Sequence, residues 1–188
     1  MRTVEPWNRS VKIIQDALLA LTADRYVDKG DGTVSDSATG LMGEQKTTAV
    51  GRGQNYADPH DVGNYYTWSV GPRPYPFDGT AKTQVLDVLN TAPCFAGHCD
   101  WRLPSEAGRI SPFTGAKELE SILLGPYPCR TSPCIDPILG PTVANGYWSA
   151  TPFAPGPLTV WGVDFADGKM FADYKVYNGY VRAVRTGP

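Results

Sequence analysis

Histidine is almost missing from this chain of 188 residues, which carries only His60 and His98. Hydrolytic chemistry needs a base beside its Ser or Cys nucleophile, so two histidines leave few ways to build such a pair. Ser149 also lacks the Gly-x-Ser-x-Gly turn that exposes a hydrolase nucleophile. No catalytic residue is assigned, and the chain reads as a non-enzyme. Long apolar runs are missing as well: nothing approaches the roughly 20 apolar residues of a membrane span. The opening residues 1–7 have no apolar signal-peptide core, so the chain reads as soluble. Clustered cations are the third absence. Lys and Arg number 17 against 19 Asp and Glu, for a formal net charge of -2, and they are scattered. Nucleic acid and anionic membrane, which require clusters, are not expected partners.

Metal-ligand sets are equally thin. Asp28, Asp31 and Asp36 suggest calcium, but an EF-hand loop begun at Asp28 would need oxygen ligands where Gly30 and Gly32 stand. The sequence Asp58-Pro59-His60-Asp61 offers one His among loop carboxylates, which reads as simply solvated. No cofactor is assigned.

What the chain does have is 20 Gly, 17 Pro, five Trp, ten Tyr and six Phe, the composition of a loop-rich globular domain held by packing. Its length fits one domain with a substantial core. Four cysteines form two equal pairs, Cys94/Cys99 and Cys129/Cys134, each bracketing four residues that include Gly or Pro. Such loops can bring the Cα atoms within about 6 Å, so two local disulfides are the first reading. They favour a secreted or cell-surface protein. A four-cysteine zinc site and two reduced pairs are the alternatives.

Val11, Ile14, Leu18 and Leu21 recur at helical spacing, with Asn8 or Ser10 as cap, and predict an amphipathic helix over 10–21. Residues 1–24 are therefore set apart as a helical segment preceding a domain at 25–188. The apolar stripe must dock either on that domain or on the same helix of another chain, which would make a homo-oligomer. Residues 25–29 and 33–36 flank Gly30-Asp31-Gly32 and read as a hairpin. The polar loop 47–80 is pinned by Tyr65, Tyr66 and Trp68. A second helix spans 81–90 with Val85, Leu86 and Leu89 inward, and a split third helix ends over 116–124, started from Thr114 or Ser111-Pro112. Three aromatic-rich runs, at 147–151, 161–165 and 180–185, alternate as half-buried strands do, and Asp167-Gly168 marks a hairpin after the second.

Several motifs occur in an order that resembles the DUF1566, or Lcl C-terminal domain, family, which takes its name from a collagen-like adhesin. They are residues 25–36, Thr39-Gly40-Leu41-Met42, Asp100-Trp101-Arg102-Leu103-Pro104, Lys117-Glu118-Leu119, Ile135-Asp136-Pro137, residues 147–151 and residues 180–185. The resemblance covers about residues 25–186. It implies an α+β, C-type-lectin-like fold related to the formylglycine-generating group, with two or three helices packed on a twisted, mostly antiparallel sheet. Two departures stand out. Family members usually have Trp where this chain has Gly43, and residues 105–116 form an insertion before Lys-Glu-Leu. The calcium-dependent sugar motifs of C-type lectins, Glu-Pro-Asn or Gln-Pro-Asp with Trp-Asn-Asp, are not in the sequence.

In Trp-Arg-Leu-Pro, Trp101 and Leu103 alternate with Arg102, which reads as scaffold paired with Glu106 or Glu118. Trp148 reads as core. In the hairpin 161–176, Trp161, Val163 and Phe165 are expected to face the core on one strand. Met170, Ala172, Tyr174 and Val176 share one face of the return strand. That leaves Lys169, Phe171, Asp173 and Lys175 on the other, and Phe171 among charges suits a binding surface. With Phe153, Asp164, Asp167, Tyr177 and Asn178 they make the candidate ligand site. The expected function is an adhesin- or lectin-like module that binds a glycan or cell-surface protein. Two alternatives are a retroelement-diversified variable protein and an assembly subunit of a surface oligomer.

Overall fold

The computed structural model describes residues 24–105 and 116–187. The predicted helix at 10–21, the boundary it implies, Glu106 and the start of the split helix lie outside the described residues. The rest is an α+β domain whose strands pair in three small antiparallel sheets.

The first sheet has the order β1-β2-β3-β9, with β1 at Tyr26–Asp28, β2 at Thr33–Asp36, β3 at Leu41–Glu44 and β9 at Val184–Thr186. The β1–β2 turn forms because Gly30 and Gly32 adopt φ of +74° and +89°. Its acids close that turn: Asp28 accepts the Gly30 amide at 2.8 Å, and Asp31 accepts the Thr33 amide and hydroxyl at 3.1 and 2.6 Å. The second sheet pairs β4, Tyr66–Thr67, with β8, Asn178–Gly179. The third has the order β5-β6-β7, comprising Gly146–Pro152, Thr159–Asp164 and Lys169–Tyr174.

Two helical segments flank the sheets. A π-helical turn, Ala81–Leu86, continues into the α-helical turn Asp87–Leu89, together α1, and buries Val85, Leu86 and Leu89 as the spacing predicted. The second, α2, covers only Lys117–Ser121, shorter than 116–124 because Ile122 leaves helical geometry and Leu123 turns to bridge Ile135. The third aromatic run is also not one strand. Tyr180 bridges β5, residues 181–183 are irregular, and only Val184 onward joins the first sheet. This segment therefore stitches the sheets together rather than lying within one.

The core has two halves. One gathers Met42, Tyr66, Trp68, Val85, Leu89, Trp101, Leu103, Trp148, Val160 and Val181. The other gathers Tyr26, Val34, Leu119, Ile135, Leu139, Tyr147, Val163 and Phe165. Adjacent Tyr147 and Trp148 on β5 point to opposite sides, so the third sheet separates the halves. Trp148 donates its indole N–H to the Tyr66 carbonyl at 3.0 Å. Gly179 is required beneath it, since a Cβ there would collide with the indole.

Disulfides join Cys94 to Cys99 and Cys129 to Cys134. The second loop is docked on the β6–β7 turn, with the Cys129 and Cys134 amides donating to the Asp167 and Phe165 carbonyls, each at 2.7 Å. Peptide mapping of the unreduced protein should yield two separate linked peptides with these local pairings; a crossed pairing would contradict the topology. Trp148→Ala should cost roughly 3 to 5 kcal/mol in denaturant unfolding. A loss below about 1 kcal/mol would be too small for a large side chain at the centre of one core half.

Candidate functional site

The β6–β7 hairpin turns as Asp167-Gly168 predicted: Gly168 takes φ of +84° and its amide donates to the Asp164 carbonyl at 2.8 Å. The acids around it serve the backbone. Asp164 accepts the Ala166 amide at 2.8 Å, Asp167 the Lys169 amide at 2.9 Å and Asp173 the Tyr174 amide at 2.7 Å.

Val163 and Phe165 are buried as the sequence suggested, but the opposite face of the hairpin, expected to be free, is covered as well. Phe171 sits opposite Gly162 in the ladder, and its ring packs against the core half built on Trp148, 5.8 Å between centroids. A Cβ at Gly146 or Gly162 would stand 2.6 or 2.5 Å from the Phe171 ring, so these two glycines form the trough that holds it. Lys175 also turns inward. It is 5% exposed, lies 4.8 Å over the Trp68 ring and donates to the Pro157 carbonyl at 2.8 Å. The inward pull is physical: an aromatic opposite glycine gains contact area that the glycine cannot fill, and the lysine stem covers Trp68 while its ammonium finds a carbonyl.

The outward side of the hairpin instead presents Ala172 and Tyr174 next to a half-buried Trp161. Trp161 pairs with Ala172 across the ladder and takes the edge of Phe153, rings 4.8 Å apart. Tyr174 and Tyr177 are 48% and 53% exposed and meet edge-to-face at 5.4 Å. Of the nine residues proposed from sequence, Tyr177 and Asn178 are exposed and Phe153 half-buried at this patch, Lys169 is exposed at the hairpin tip, and Asp164, Asp167 and Asp173 are half-buried. Trp161 and Tyr174 were missed. The signal that could have found them is the pair of glycines, Gly146 and Gly162, which makes Phe171 the inward residue and so sends Tyr174 out.

Below the surface lies a charged cluster that local sequence did not mark. Glu44 is fully buried and accepts from Lys46 Nζ at 2.7 Å, His60 Nδ1 at 2.9 Å and the Ala183 amide at 2.8 Å. His60 is thus not solvated as expected; it closes on Glu44 and rests against Phe95, rings 4.3 Å apart. Burial alone would raise the Glu44 pKa, but Lys46 and His60 reverse this and hold it down at about 2. Burial lowers the Lys46 pKa against the opposing pull of Glu44. Nearby, Arg182 is buried with its guanidinium on the Leu139 and Pro141 carbonyls at 2.7 and 3.1 Å.

Arg102 grips Glu118 through two hydrogen bonds, 2.6 and 2.9 Å, and Glu118 also receives the Ser105 amide, which fastens Trp-Arg-Leu-Pro to α2. Arg182 and Glu118 lie in two of the motifs quoted above, and the family model for the Lcl C-terminal domain matches residues 32–185. The chain belongs to the Lcl C-terminal domain family. No curated protein matches it.

In this Lcl C-terminal domain the space beside Gly43 is taken from elsewhere. Leu139 Cδ2 stands 3.9 Å from where a Gly43 Cβ would be, so the 3₁₀ turn Pro137–Leu139 lies over the strand at this glycine.

Stability should depend on acid through Glu44. Its folded pKa lies below its ordinary value of 4.5, so its contribution is present above about pH 4.5 and is lost as pH falls toward 2. The thermal midpoint should therefore drop across that window. Glu44→Gln should cost about 3 to 5 kcal/mol at neutral pH, because it leaves Lys46 buried without its counter-charge, and should flatten the acid dependence. A variant with unchanged stability would contradict the clamp.

Proposed function

We propose that this domain is a non-enzymatic recognition module of C-type-lectin-like fold, secreted or displayed on a cell surface, that binds glycan on the outward face of the β6–β7 hairpin. The observation that carries this reading is the exposed aromatic group there: Tyr174 and Tyr177 edge-to-face, beside Phe153 on Trp161. Tyr and Trp rings offer apolar platforms to the C–H faces of sugars while their polar tips stay wet. Backbone groups and Asn178 are available to hydroxyls. The two disulfides support export, since such bonds persist in oxidising compartments.

The non-enzymatic part rests on how the sequence's few chemical groups are engaged. His60 Nδ1 faces Glu44, and the Ser149 side chain is buried and accepts the Thr151 amide at 3.1 Å. All four cysteines are held in disulfides, which leaves no thiol nucleophile. Serine- and cysteine-hydrolase probes should leave the protein unlabelled, and stoichiometric labelling at Ser149 would overturn this part.

A glycan array probed with the intact chain tests the binding. Tyr174→Ala and Tyr177→Ala should each weaken capture by about 1 kcal/mol or more while leaving the thermal midpoint nearly unchanged. Phe171→Ala should instead lower stability, by roughly 2 to 4 kcal/mol, through the space it empties against Trp148. Capture of proteins alone, with no glycan retained, would contradict the ligand class.

A further inference from the structure

A cleft of about 460 Å³ opens at the tip of the hairpin, between α2, the loop to the second disulfide and the start of β7. Glu120, Leu123, Pro126 and Tyr127 form one wall, and Lys169 and Met170 the other. Its size is that of a small-ligand site. Tyr127 is 56% exposed, although it stands between this cleft and a second hollow of about 550 Å³ along the Cys129–Cys134 loop.

Met170, Ala172 and Tyr174 share one face of β7, with Met170 half-buried against the second core half and Ala172 and Tyr174 exposed, so the cleft and the aromatic patch lie on one side of one strand. From Met170 to Tyr174 the strand rises about 13 Å. β7 is an edge strand. Because Lys175 donates to the Leu158 carbonyl, the alternation of the ladder turns Lys169, Phe171 and Asp173 toward β6. The amide and carbonyl of Met170 and of Ala172 therefore point off the free edge, where they meet no partner among the described residues. The floor between the two ends is the small, exposed Ala172.

We propose that the cleft at Tyr127 and the patch at Tyr174 are two ends of one site, which takes a neutral, extended oligosaccharide lying along β7. This rests on the glycan reading above and adds length and charge to it. A ring at each end stacks on an aromatic, and the sugar hydroxyls between them meet the free peptide groups of Met170 and Ala172. The charges match a neutral ligand: the cleft holds one cation, Lys169, and one carboxylate, Glu120, whose pKa burial raises, with Asp167 beside them in the turn. A sulfated chain would require several clustered cations.

The test titrates the intact, disulfide-bonded chain calorimetrically with chito-, cello-, xylo- and manno-oligosaccharides, from monosaccharide to hexasaccharide, at low and high salt. Affinity should climb with chain length and change little with salt. Tyr127→Ala should lower affinity for the hexasaccharide by roughly tenfold and leave the disaccharide unaffected, whereas Tyr174→Ala should weaken both. Both rings are half exposed or nearly so, and unchanged thermal midpoints will confirm that the variants fold. If Tyr127→Ala leaves the hexasaccharide unaffected while Tyr174→Ala weakens it, the long site is wrong and the glycan reading survives. If none of these sugars binds, or only sulfated chains bind and salt removes them, the proposal fails. Capture of strand-forming peptides on the β7 edge in place of sugars would also overturn it.

Discussion

Phe171 rests on the absence of two side chains. Gly146 on β5 and Gly162 on β6 leave a trough in the sheet, and the ring fills it from β7 while touching the Trp148 half of the core. A β-strand alternates its faces, so fixing one residue fixes the rest of the hairpin. With Phe171 inward, Ala172 and Tyr174 are outward, and Lys175 follows Phe171 down onto Trp68. A slip of one residue would bring Met170 or Ala172 opposite Gly162 and turn Tyr174 to the inner face, emptying the outer patch. The surface available for recognition therefore follows from a packing contact on the other side of the sheet.

That arrangement needs the rest of the domain to hold still around three small sheets. The clamp on residues 182–183 supplies much of this. Glu44 accepts the Ala183 amide and returns its own amide to the Ala183 carbonyl at 3.0 Å, while Arg182 ties down residues 139–142. A buried carboxylate is costly unless paired and fully hydrogen-bonded, and Lys46, His60 and Ala183 meet that condition for Glu44. The Cys129–Cys134 loop plays the equivalent part at the hairpin tip, where its two amides hold the turn and its approach shapes the cleft.

Local signals in the sequence reported local structure well. Gly30 and Gly32, Asp167-Gly168, the spacing of Val85, Leu86 and Leu89, and the two cysteine pairs each specify a geometry within a few residues, and each formed. Arg102 found Glu118, one of the two partners its motif suggested. What escaped was decided across long separations. Glu44 and Ala183 are 139 residues apart, and nothing near either announces the other. The hairpin faces were misread because Trp161, Val163 and Phe165 looked like the side with more to bury. Both faces are in fact covered near the tip, and the glycine partners of Phe171 settle the rest. Tyr127 stood among prolines next to a cysteine and carried no pattern at all.

Recognition on this hairpin thus depends on which of its rings face water. Oxidative footprinting of the free protein by hydroxyl radicals, read by mass spectrometry, measures that directly at residue level. The orientation described here predicts heavy modification at Tyr174 and Tyr177 with Phe171 and Trp148 protected. Heavy modification at Phe171 with Tyr174 protected would reverse the sheet and remove the proposed binding face.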